Sequence, residues 1–186
     1  TQGVSSAASD VYKRQMYNDY ILVGPRHDPA SVLSAANVIG AVQRIANNKS
    51  LFISRGDDSG THKKELELWN QSGIDTTKVG NGWYQETGRG MGGTLNMASA
   101  LDAYTLSDRA TWLKFGNKGR LDILFQSDPP LFNPYGIILV NPEKHPHIKT
   151  RDGQTFIEWM LSETGQTLIA DYRILGQQAF FPTAKP

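Results

Sequence analysis

The stretch that decides the fold is SLFISRGDDSGTHKKE, residues 50–65. Its first letters, SLFI, predict a short buried strand, and the run that follows Ser59 predicts a helix. The turn between them holds Arg55, two aspartates and the tripeptide Ser-Gly-Thr. A helix N-terminus leaves its first N–H groups unpaired and carries about half a positive charge. The turn therefore has the composition of a binding site for a small oxyanion.

A purely structural interpretation of this turn has Ser59 as an N-cap and Arg55 paired with a neighbouring aspartate. Further features favour a ligand. Gly56 and Gly60 allow the backbone to approach a bound group closely. A second glycine-rich helix start, GMGGT at Gly90–Thr94, predicts another helix N-terminus that can point into the same cleft.

The composition is that of an ordinary globular protein. The chain has 186 residues, 39% hydrophobic and 20% charged, with a net charge of +1 and no cysteine. The absence of cysteine excludes disulfides and thiolate metal sites. The near-zero charge gives no electrostatic argument for binding nucleic acid or a membrane surface. No apolar run approaches the ~20 residues that span a membrane.

Two clusters imitate catalytic or metal sites. Asp57, Ser59 and His62 have the residue types of a catalytic triad, but no Gly-x-Ser-x-Gly elbow accompanies them, and residues so close in sequence rarely converge. Residues 143–147 hold a glutamate and two histidines without further ligands, which is typical of an exposed loop. We therefore expect no enzyme activity, no bound metal and no cofactor.

Outward from the central stretch, strands alternate with helices. This alternation predicts an α/β fold with a largely parallel sheet, in which ligands bind at the carboxyl edge of the strands. The predicted strands are Tyr20–Val23, Leu51–Ile53, Ala103–Leu106, Leu121–Phe125 and Ile137–Val140. The predicted helices run from Val38 to about Asn47 with Asn37 as N-cap, from Thr61 to Asn70 with Leu66 and Trp69 inward, from Thr94 through Leu101, from Ser107 or Asp108 to Phe115, and from Phe156 to Tyr172 with an interruption near Gly165.

Several long motifs resemble one family. YNDY at Tyr17–Tyr20, SRGDDSGTHKKEL, WYQETGRGMGGTLNMA, YTLSDRATWL and NPYGIILVNP look like the TupA-type tungstate-binding proteins. These are extracytoplasmic solute-binding components of ABC importers. The resemblance runs from Met16 to the C-terminus. It implies a type II periplasmic-binding-protein fold, with two lobes joined by a hinge and a cleft that takes up tungstate and, in some members, molybdate.

The same resemblance predicts how the chain is divided. It assigns residues 16–37 and 131–186 to a remnant of lobe one plus the hinge, and residues 38–130 to lobe two. Residues 1–15, which show neither clear periodicity nor an apolar face, read as a non-native or disordered tail. The family's first lobe opens with a Thr-Thr-Thr-Ser motif that this sequence lacks. Lobe one is therefore expected to be incomplete, the isolated chain to bind weakly, and the signal peptide to be absent with the missing start.

The resemblance also implies the ligand contacts and the partners. The partners would be a tungstate or molybdate oxyanion and a membrane permease, with a monomeric protein in the periplasm or anchored outside the membrane. The predicted ligand contacts come from the SRGDDSGT motif (Ser54, Arg55, Ser59, Gly60 and Thr61), from the second helix start (Gly93 and Thr94), and from a strand end facing the cleft (Tyr104 and Thr105).

Two alternatives stay open on the residues alone. Tungstate and molybdate are near-isosteric dianions that need only donors, whereas phosphate near pH 7 keeps a proton and needs an acceptor. Arg55 followed by Ser59-Gly60-Thr61 also fits phosphate-binding members of the superfamily, with Asp57 or Asp58 as that acceptor. The fold also serves as the sensor half of some transcription regulators. The long matches outside the turn favour tungstate.

Overall fold

A computed structural model describes residues 12–79 and 82–184 of the chain. Its strands are β1 Tyr12–Pro25, β2 Phe52–Ser54, β3 Tyr84–Glu86, β4 Thr105–Asp108, β5 Leu121–Phe125, β6 Phe132–Ile138, β7 Arg173–Ile174, β8 Gln177–Gln178 and β9 Phe181–Pro182. Its α-helices are α1 Val38–Asn47, α2 Gly60–Gln71, α3 Met91–Leu101, α4 Arg109–Lys114, α5 Thr150–Leu161 and α6 Glu163–Asp171, and short 3₁₀ turns lie at Val32–Ser34, Thr76–Lys78 and Pro129–Leu131.

The chain divides into two compact units. The continuous unit is Asp19–Phe132, and the discontinuous unit combines Thr1–Asn18 with Asn133–Pro186. Strand β1 and the Phe132–Asn133 link are therefore the two places where the chain passes from one unit to the other. This division places residues 19–37 in the continuous unit, whereas the sequence analysis assigned residues 16–37 to lobe one and the hinge.

The strand pairs of the continuous unit are mixed, whereas a largely parallel sheet was predicted, because β1 lies between β4 and β5 and pairs antiparallel with both. Strands β2 and β3 pair in parallel, and an isolated parallel bridge joins Phe52 to Tyr104 just before β4. Strands β4 and β5 both pair antiparallel with β1, so they share one direction. Strands β2 to β5 therefore all run the same way, and β1 opposes them. Parallel strands bring their carboxyl ends, and the helices that follow, to one edge.

The core of this unit is aromatic at its centre. Phe52 meets Trp69 edge-on at a ring-centroid distance of 5.0 Å and stacks with Tyr84 at 6.0 Å. Helix α1 adds an apolar face, and its N-cap Asn37 accepts the N–H of Gly40 at 2.8 Å. Because β2 is buried and carries Phe52 into this packed cluster, the turn that follows β2 starts from a rigid position. The buried residues of α1 are Val38, Ala41, Val42 and Ile45.

A buried ion pair ties β1 to α4. The guanidinium of Arg109 donates to both carboxylate oxygens of Asp19, at 2.7 and 2.5 Å, and to Oε1 of Gln126 at 2.8 Å. Such a bidentate pair fixes geometry because the planar fork matches the carboxylate. Asp19 and Arg109 belong to the motifs that carried the family resemblance, and the structure gives them a scaffolding role.

The discontinuous unit has helices α5 and α6 with the short strand β9, which pairs antiparallel with β1 at Met16 and Tyr17. The side chain of Gln166 reaches the carbonyl of Gln15 at 3.0 Å. Several large apolar side chains of this unit are exposed, and some of them line a pocket of about 290 Å³. We call this surface the apolar face, and its members are Phe156, Trp159, Leu168 and Tyr172.

Some element bounds differ from the predicted ones. Helix α3 begins at Met91, three residues before the predicted start at Thr94, because Gly90 takes the extended conformation of an N-cap. The last long helix breaks at Ser162, whose side chain accepts the N–H of Gly165, so Gly165 lies inside α6. Leu66 is exposed, whereas it was predicted to point inward. Strand β1 extends to Tyr12 into the predicted tail. The rest of that tail, residues 1–11, lies outside the described residues.

Candidate functional site

Two helix N-termini meet at the carboxyl ends of the parallel strands β2 and β3. Ser54 and Glu86 are paired where β2 and β3 end, and helices α2 and α3 begin shortly after each strand. Hydrogen bonds link the two turns. The hydroxyl of Thr87 donates to the carbonyl of Arg55 at 3.3 Å and lies 3.1 Å from the hydroxyl of Thr94. The arrangement gathers unpaired N–H groups from both helices on the carboxyl side of the strands.

The first turn of α2 presents donors. Ser59 is the N-cap, and its hydroxyl oxygen accepts the N–H of His62 at 3.3 Å. Within the part of the chain that the structure describes, the N–H groups of Gly60 and Thr61 and the hydroxyl of Thr61 have no hydrogen-bond partner. Gly60 is exposed and Thr61 is largely buried. The N-cap interpretation of Ser59 is therefore right, and the donors available for a ligand lie on the two residues after it.

Arg55 is held by Asp57. Its Nε and Nη2 donate to Oδ2 of Asp57 at 3.0 and 2.5 Å, while Oδ1 accepts the N–H of Ser59 at 3.2 Å. Burial raises the pKa of Asp57, but hydrogen bonds from Ser59 and Arg55 outweigh it and lower the pKa to about 2. The carboxylate therefore stays ionised near neutral pH. It orients the guanidinium, whose remaining N–H groups stay available to an anion.

Ser54 and Gly56 shape the backbone of the turn. Gly56 has a φ of +58°, and a Cβ at this position would lie 2.7 Å from Cβ of Glu86, so only glycine fits without a shift. Ser54 is completely buried, and its hydroxyl oxygen accepts the N–H of Gly56 at 3.3 Å. In this conformation the Ser54 side chain supports the turn from behind. Its direct contact with a ligand stays a prediction.

The start of α3 is tightly braced. Thr94 is fully buried, and its hydroxyl donates to the carbonyls of Arg89 and Gly90, both at 3.3 Å. Gly93 is partly exposed, and a Cβ there would lie 3.1 Å from Cβ of Arg89. The side chain of Thr94 therefore holds the turn together, and a ligand contact through the backbone of Gly93 stays a prediction.

Tyr104 and Thr105 are committed to other partners. The hydroxyl of Tyr104 donates to Oδ1 of Asp28 and accepts the N–H of Ala30, both at 2.9 Å. The hydroxyl of Thr105 donates to the carbonyl of Ile53 at 2.7 Å. Both residues are buried. The structure therefore does not bring these two side chains to the donor cluster at the helix N-termini.

The sequence analysis did not single out Glu65, a buried carboxyl in α2. Its Oε1 accepts the hydroxyl of Tyr84 at 2.7 Å and Nε1 of Trp69 at 3.2 Å. Burial raises its pKa to about 7, although the donors around it act in the opposite direction. The spacing of Thr61, Glu65, Leu68 and Trp69 is the signal that was available, because these residues share one helix face.

The histidine in the turn does not form a catalytic set. Nδ1 of His62 accepts the N–H of Asp58 at 3.1 Å, and its Nε2 lies 3.7 Å from a carboxylate oxygen of Glu86. The imidazole thus closes the turn and does not activate Ser59. Among the described residues, no group of three or more His, Asp or Glu side chains has the arrangement of a metal site.

Comparison with known proteins identifies the class. Residues 6–164 match the model of the PBP superfamily domain, so the chain belongs to the PBP superfamily. The chain is 46% identical to the tungstate-binding protein TupA of Peptoclostridium acidaminophilum over an alignment of 184 residues, and the match covers 96% of this chain and 63% of that protein. This similarity bears out the family resemblance found in the sequence.

Solved structures agree with this assignment. The tungstate-binding protein TupA from Desulfovibrio alaskensis G20 superposes with a TM-score of 0.88 at 36% identity, covering 97% of this chain and 77% of that one. The structure of the tungstate ABC transporter from Geobacter sulfurreducens gives a TM-score of 0.72 at 45% identity, covering 89% and 71%. The predicted fold class is thereby confirmed.

The relatives also bear on activity and on length. They carry the names of binding proteins, which confirms the expectation that the family does not catalyse a reaction. The chain spans 50% to 64% of the length of the curated relatives it matches. Within residues 12–79 and 82–184, no helix is both long and apolar enough to cross a bilayer.

Proposed function

We propose that this chain is part of an extracytoplasmic solute-binding protein that captures tungstate, and molybdate as a near-isosteric second ligand, for an ABC importer. The observation that carries the proposal is the gathering of unpaired donors at the N-termini of α2 and α3 beside Arg55. The names of the relatives supply the choice of oxyanion. Binding would proceed without chemistry.

The proposed contacts follow from which donors are available. Arg55, Gly60 and Thr61 contribute the guanidinium, backbone N–H groups and a hydroxyl, and Gly93 contributes backbone from the second helix. Ser54, Ser59, Thr94, Tyr104 and Thr105 complete the set proposed from the sequence. Their side chains bond within the protein, so we assign them mainly to holding the turns in place.

The donor-rich character favours a fully deprotonated dianion. Tungstate and molybdate accept hydrogen bonds at every oxygen, whereas phosphate at neutral pH must also donate one. The acceptor nearest to the donors is Asp57, and its carboxylate is already bonded to Arg55 and Ser59. Three donors already bond to this carboxylate, so it is a poorer acceptor for a phosphate proton than a free carboxylate is. Phosphate is therefore the competitor to be tested.

The wider proposal concerns the whole protein. Residues 38–130 would form lobe two, residues 16–37 and 131–186 would belong to lobe one and the hinge, and the anion would dock on lobe two before closure. The protein would work as a monomer in the periplasm or anchored outside the membrane, delivering its anion to a permease. No nucleic-acid partner is proposed.

The test is a competition titration by calorimetry. Tungstate, molybdate, sulfate and phosphate are titrated into the chain, and into the chain preceded by the N-terminal segment of the TupA relative from Peptoclostridium acidaminophilum. We expect tungstate and molybdate to bind best and phosphate to bind least. Preferred phosphate binding would move the protein to a phosphate-binding function. No heat with any anion, from protein that melts cooperatively, would refute anion binding.

A matched pair of arginine variants locates the site. Arg55→Ala removes charge-assisted hydrogen bonds and leaves Asp57 without its cation, so we expect tungstate affinity to fall at least about tenfold. Arg26→Ala is the control, because Arg26 is an exposed arginine that pairs only loosely with Asp122 at 3.6 Å. An equal affinity for both variants in calorimetry would place the anion elsewhere.

A further inference from the structure

Glu65 lies directly behind the donor-rich turn. It is one helical turn after Thr61 on the same buried face of α2, which is about 6 Å along the helix axis. Only 3% of its surface is exposed. A carboxyl this deep is costly when ionised, because burial removes the water that stabilises its charge.

Ser54 lies between the turn and the surroundings of the carboxyl. The N–H of Gly56 donates to the hydroxyl oxygen of Ser54 at 3.3 Å, and the Ser54 hydroxyl lies close enough to Glu65 to lower the pKa of its carboxyl. On the other side, Tyr84 and Trp69 donate to Oε1. The ionised carboxylate can accept all of these donors, so the network opposes the effect of burial.

The other charged groups near Glu65 can be named element by element. Strand β3 supplies Glu86, whose negative charge opposes ionisation of Glu65, and α2 itself carries His62, Lys63, Lys64 and Glu67. Helix α1 has one charged residue, Arg44. Strand β4 ends in Asp108, which caps α4 by accepting the N–H of Thr111 at 2.8 Å. Strand β2 has no charged residue within its bounds.

We propose that Glu65 is a positioning residue of the anion site whose carboxyl takes up a proton when a dianion binds at the N-terminus of α2. This inference rests on the proposed function. A dianion arriving next to a buried carboxylate raises the cost of its charge, and the neutral carboxylic acid removes that repulsion. Anion affinity must then increase as pH falls through the range where Glu65 titrates.

The first measurement needs no ligand. Because the indole N–H of Trp69 donates to Glu65, its NMR resonance reports the protonation state of the carboxyl. The chain contains four tryptophans, so Trp69→Phe assigns the signal. We expect the resonance to show one titration between about pH 6 and 8 in the parent protein, because burial raises the pKa of a carboxyl. We expect no titration in Glu65→Gln. A flat indole resonance in the parent would overturn the inference.

The second measurement adds tungstate between pH 6.5 and 8.5. We expect the titration midpoint of the Trp69 resonance to rise by about one pH unit, and calorimetry in buffers of different ionisation enthalpy to show proton uptake. Affinity should drop up to about tenfold across this range in the parent protein. In Glu65→Gln the tungstate affinity should be independent of pH and equal to the affinity that the parent protein has at the acidic end of this range.

Two further variants separate Glu65 from its neighbours. Tyr84→Phe keeps the ring against Phe52 but removes a donor to the carboxylate, so the midpoint should move to higher pH. His62→Gln removes the imidazole whose Nε2 lies 3.7 Å from Glu86 and should leave the pH dependence intact. Loss of the pH dependence in His62→Gln but not in Glu65→Gln would overturn the inference.

The outcomes distinguish this inference from the proposed function. Tungstate binding with an unmoved Trp69 midpoint would refute proton uptake by Glu65 and leave the binding function standing. Indole titration without any anion binding would refute the proposed function, and the inference with it. A rising midpoint together with pH-independent binding in Glu65→Gln would support both.

Discussion

Asp57 is the residue that fixes the geometry of the turn. It orients Arg55, closes a turn on the N–H of Ser59, and remains ionised because those donors lower the pKa of its carboxyl to about 2. The sequence showed two aspartates beside an arginine, but not which of them pairs. The structure distinguishes them, since the side chain of Asp58 is 88% exposed and forms only a 3.5 Å contact with Lys63.

Replacement of Asp57 by asparagine should separate the two candidate anions. Asparagine keeps Oδ1 as the acceptor for Ser59 but replaces Oδ2 with an NH2 group, which removes a negative charge and frees the Arg55 guanidinium for the anion, so tungstate affinity should rise about threefold. Phosphate, which needs an acceptor for its proton, should gain nothing or bind more weakly. Calorimetric competition measures both, with Asp58→Asn as the matched control. Weaker tungstate binding in Asp57→Asn alone would show that the carboxylate is essential for orienting Arg55.

Gly56 sets the path of the turn. In Gly56→Ala the new methyl group would meet Glu86 and the backbone would keep a φ of +58°, so we expect a loss of roughly 2–4 kcal/mol in the free energy of unfolding. Gly73→Ala is the control, because Gly73 has a φ of +77° with open space around it and reports the backbone strain alone. If urea denaturation gives both variants the same loss in the free energy of unfolding, the Glu86 side chain moves away from the new methyl group without cost.

At the scale of elements, sequence patterns predicted the elements better than their contacts. The period of α1 and its cap Asn37 were readable because both are local properties. The orientation of Tyr104 was not, since its hydroxyl bonds to Asp28 and Ala30 far away in the sequence. Leu66 was predicted to point inward and is exposed, whereas Glu65 is buried, and its partner Tyr84 lies 19 residues away, where no local pattern reveals it.

Glu65 should also give α2 a pH-dependent stability. Burial raises the pKa of its carboxyl to about 7, above the unfolded value of 4.5, so the folded state binds the extra proton between these values. Its contribution to stability is therefore fully present below pH 4.5 and is lost as pH rises through 7. Glu65→Gln should melt higher than the parent protein at pH 8.5 and lose that advantage toward pH 5. A constant difference in melting temperature would contradict the raised pKa.

At the scale of the whole molecule, the two units differ in how well they bury apolar surface. The continuous unit encloses its aromatic centre, whereas the discontinuous unit leaves the apolar face open, with Leu168 56% and Phe156 53% exposed. Contiguous apolar patches of this kind mark interaction surfaces or sites of aggregation. Sequence periodicity could not predict this exposure. An amphipathic pattern indicates that one face of a helix is apolar, but it does not indicate what packs against that face.

The apolar face should be detectable in solution. We expect the chain to enhance the fluorescence of an apolar dye such as ANS while its near-UV circular dichroism remains native, since the exposed side chains belong to folded helices. The double variant Phe156→Lys/Leu168→Lys should lower that fluorescence at least about twofold. Lys substitution at Leu33, an isolated exposed leucine 63% accessible, is the control. Unchanged dye binding in the double variant would show that the face is covered in solution.

The continuity of Asp19–Phe132 has a practical meaning for engineering. Every residue proposed to contact or support the anion, and Glu65 as well, is encoded between these two positions in one uninterrupted stretch of gene. A library that retunes oxyanion selectivity can therefore be assembled as a single cassette, with the flanking codons untouched. Isotope labelling for spectroscopy can be confined to the same segment, because all of these residues lie within it.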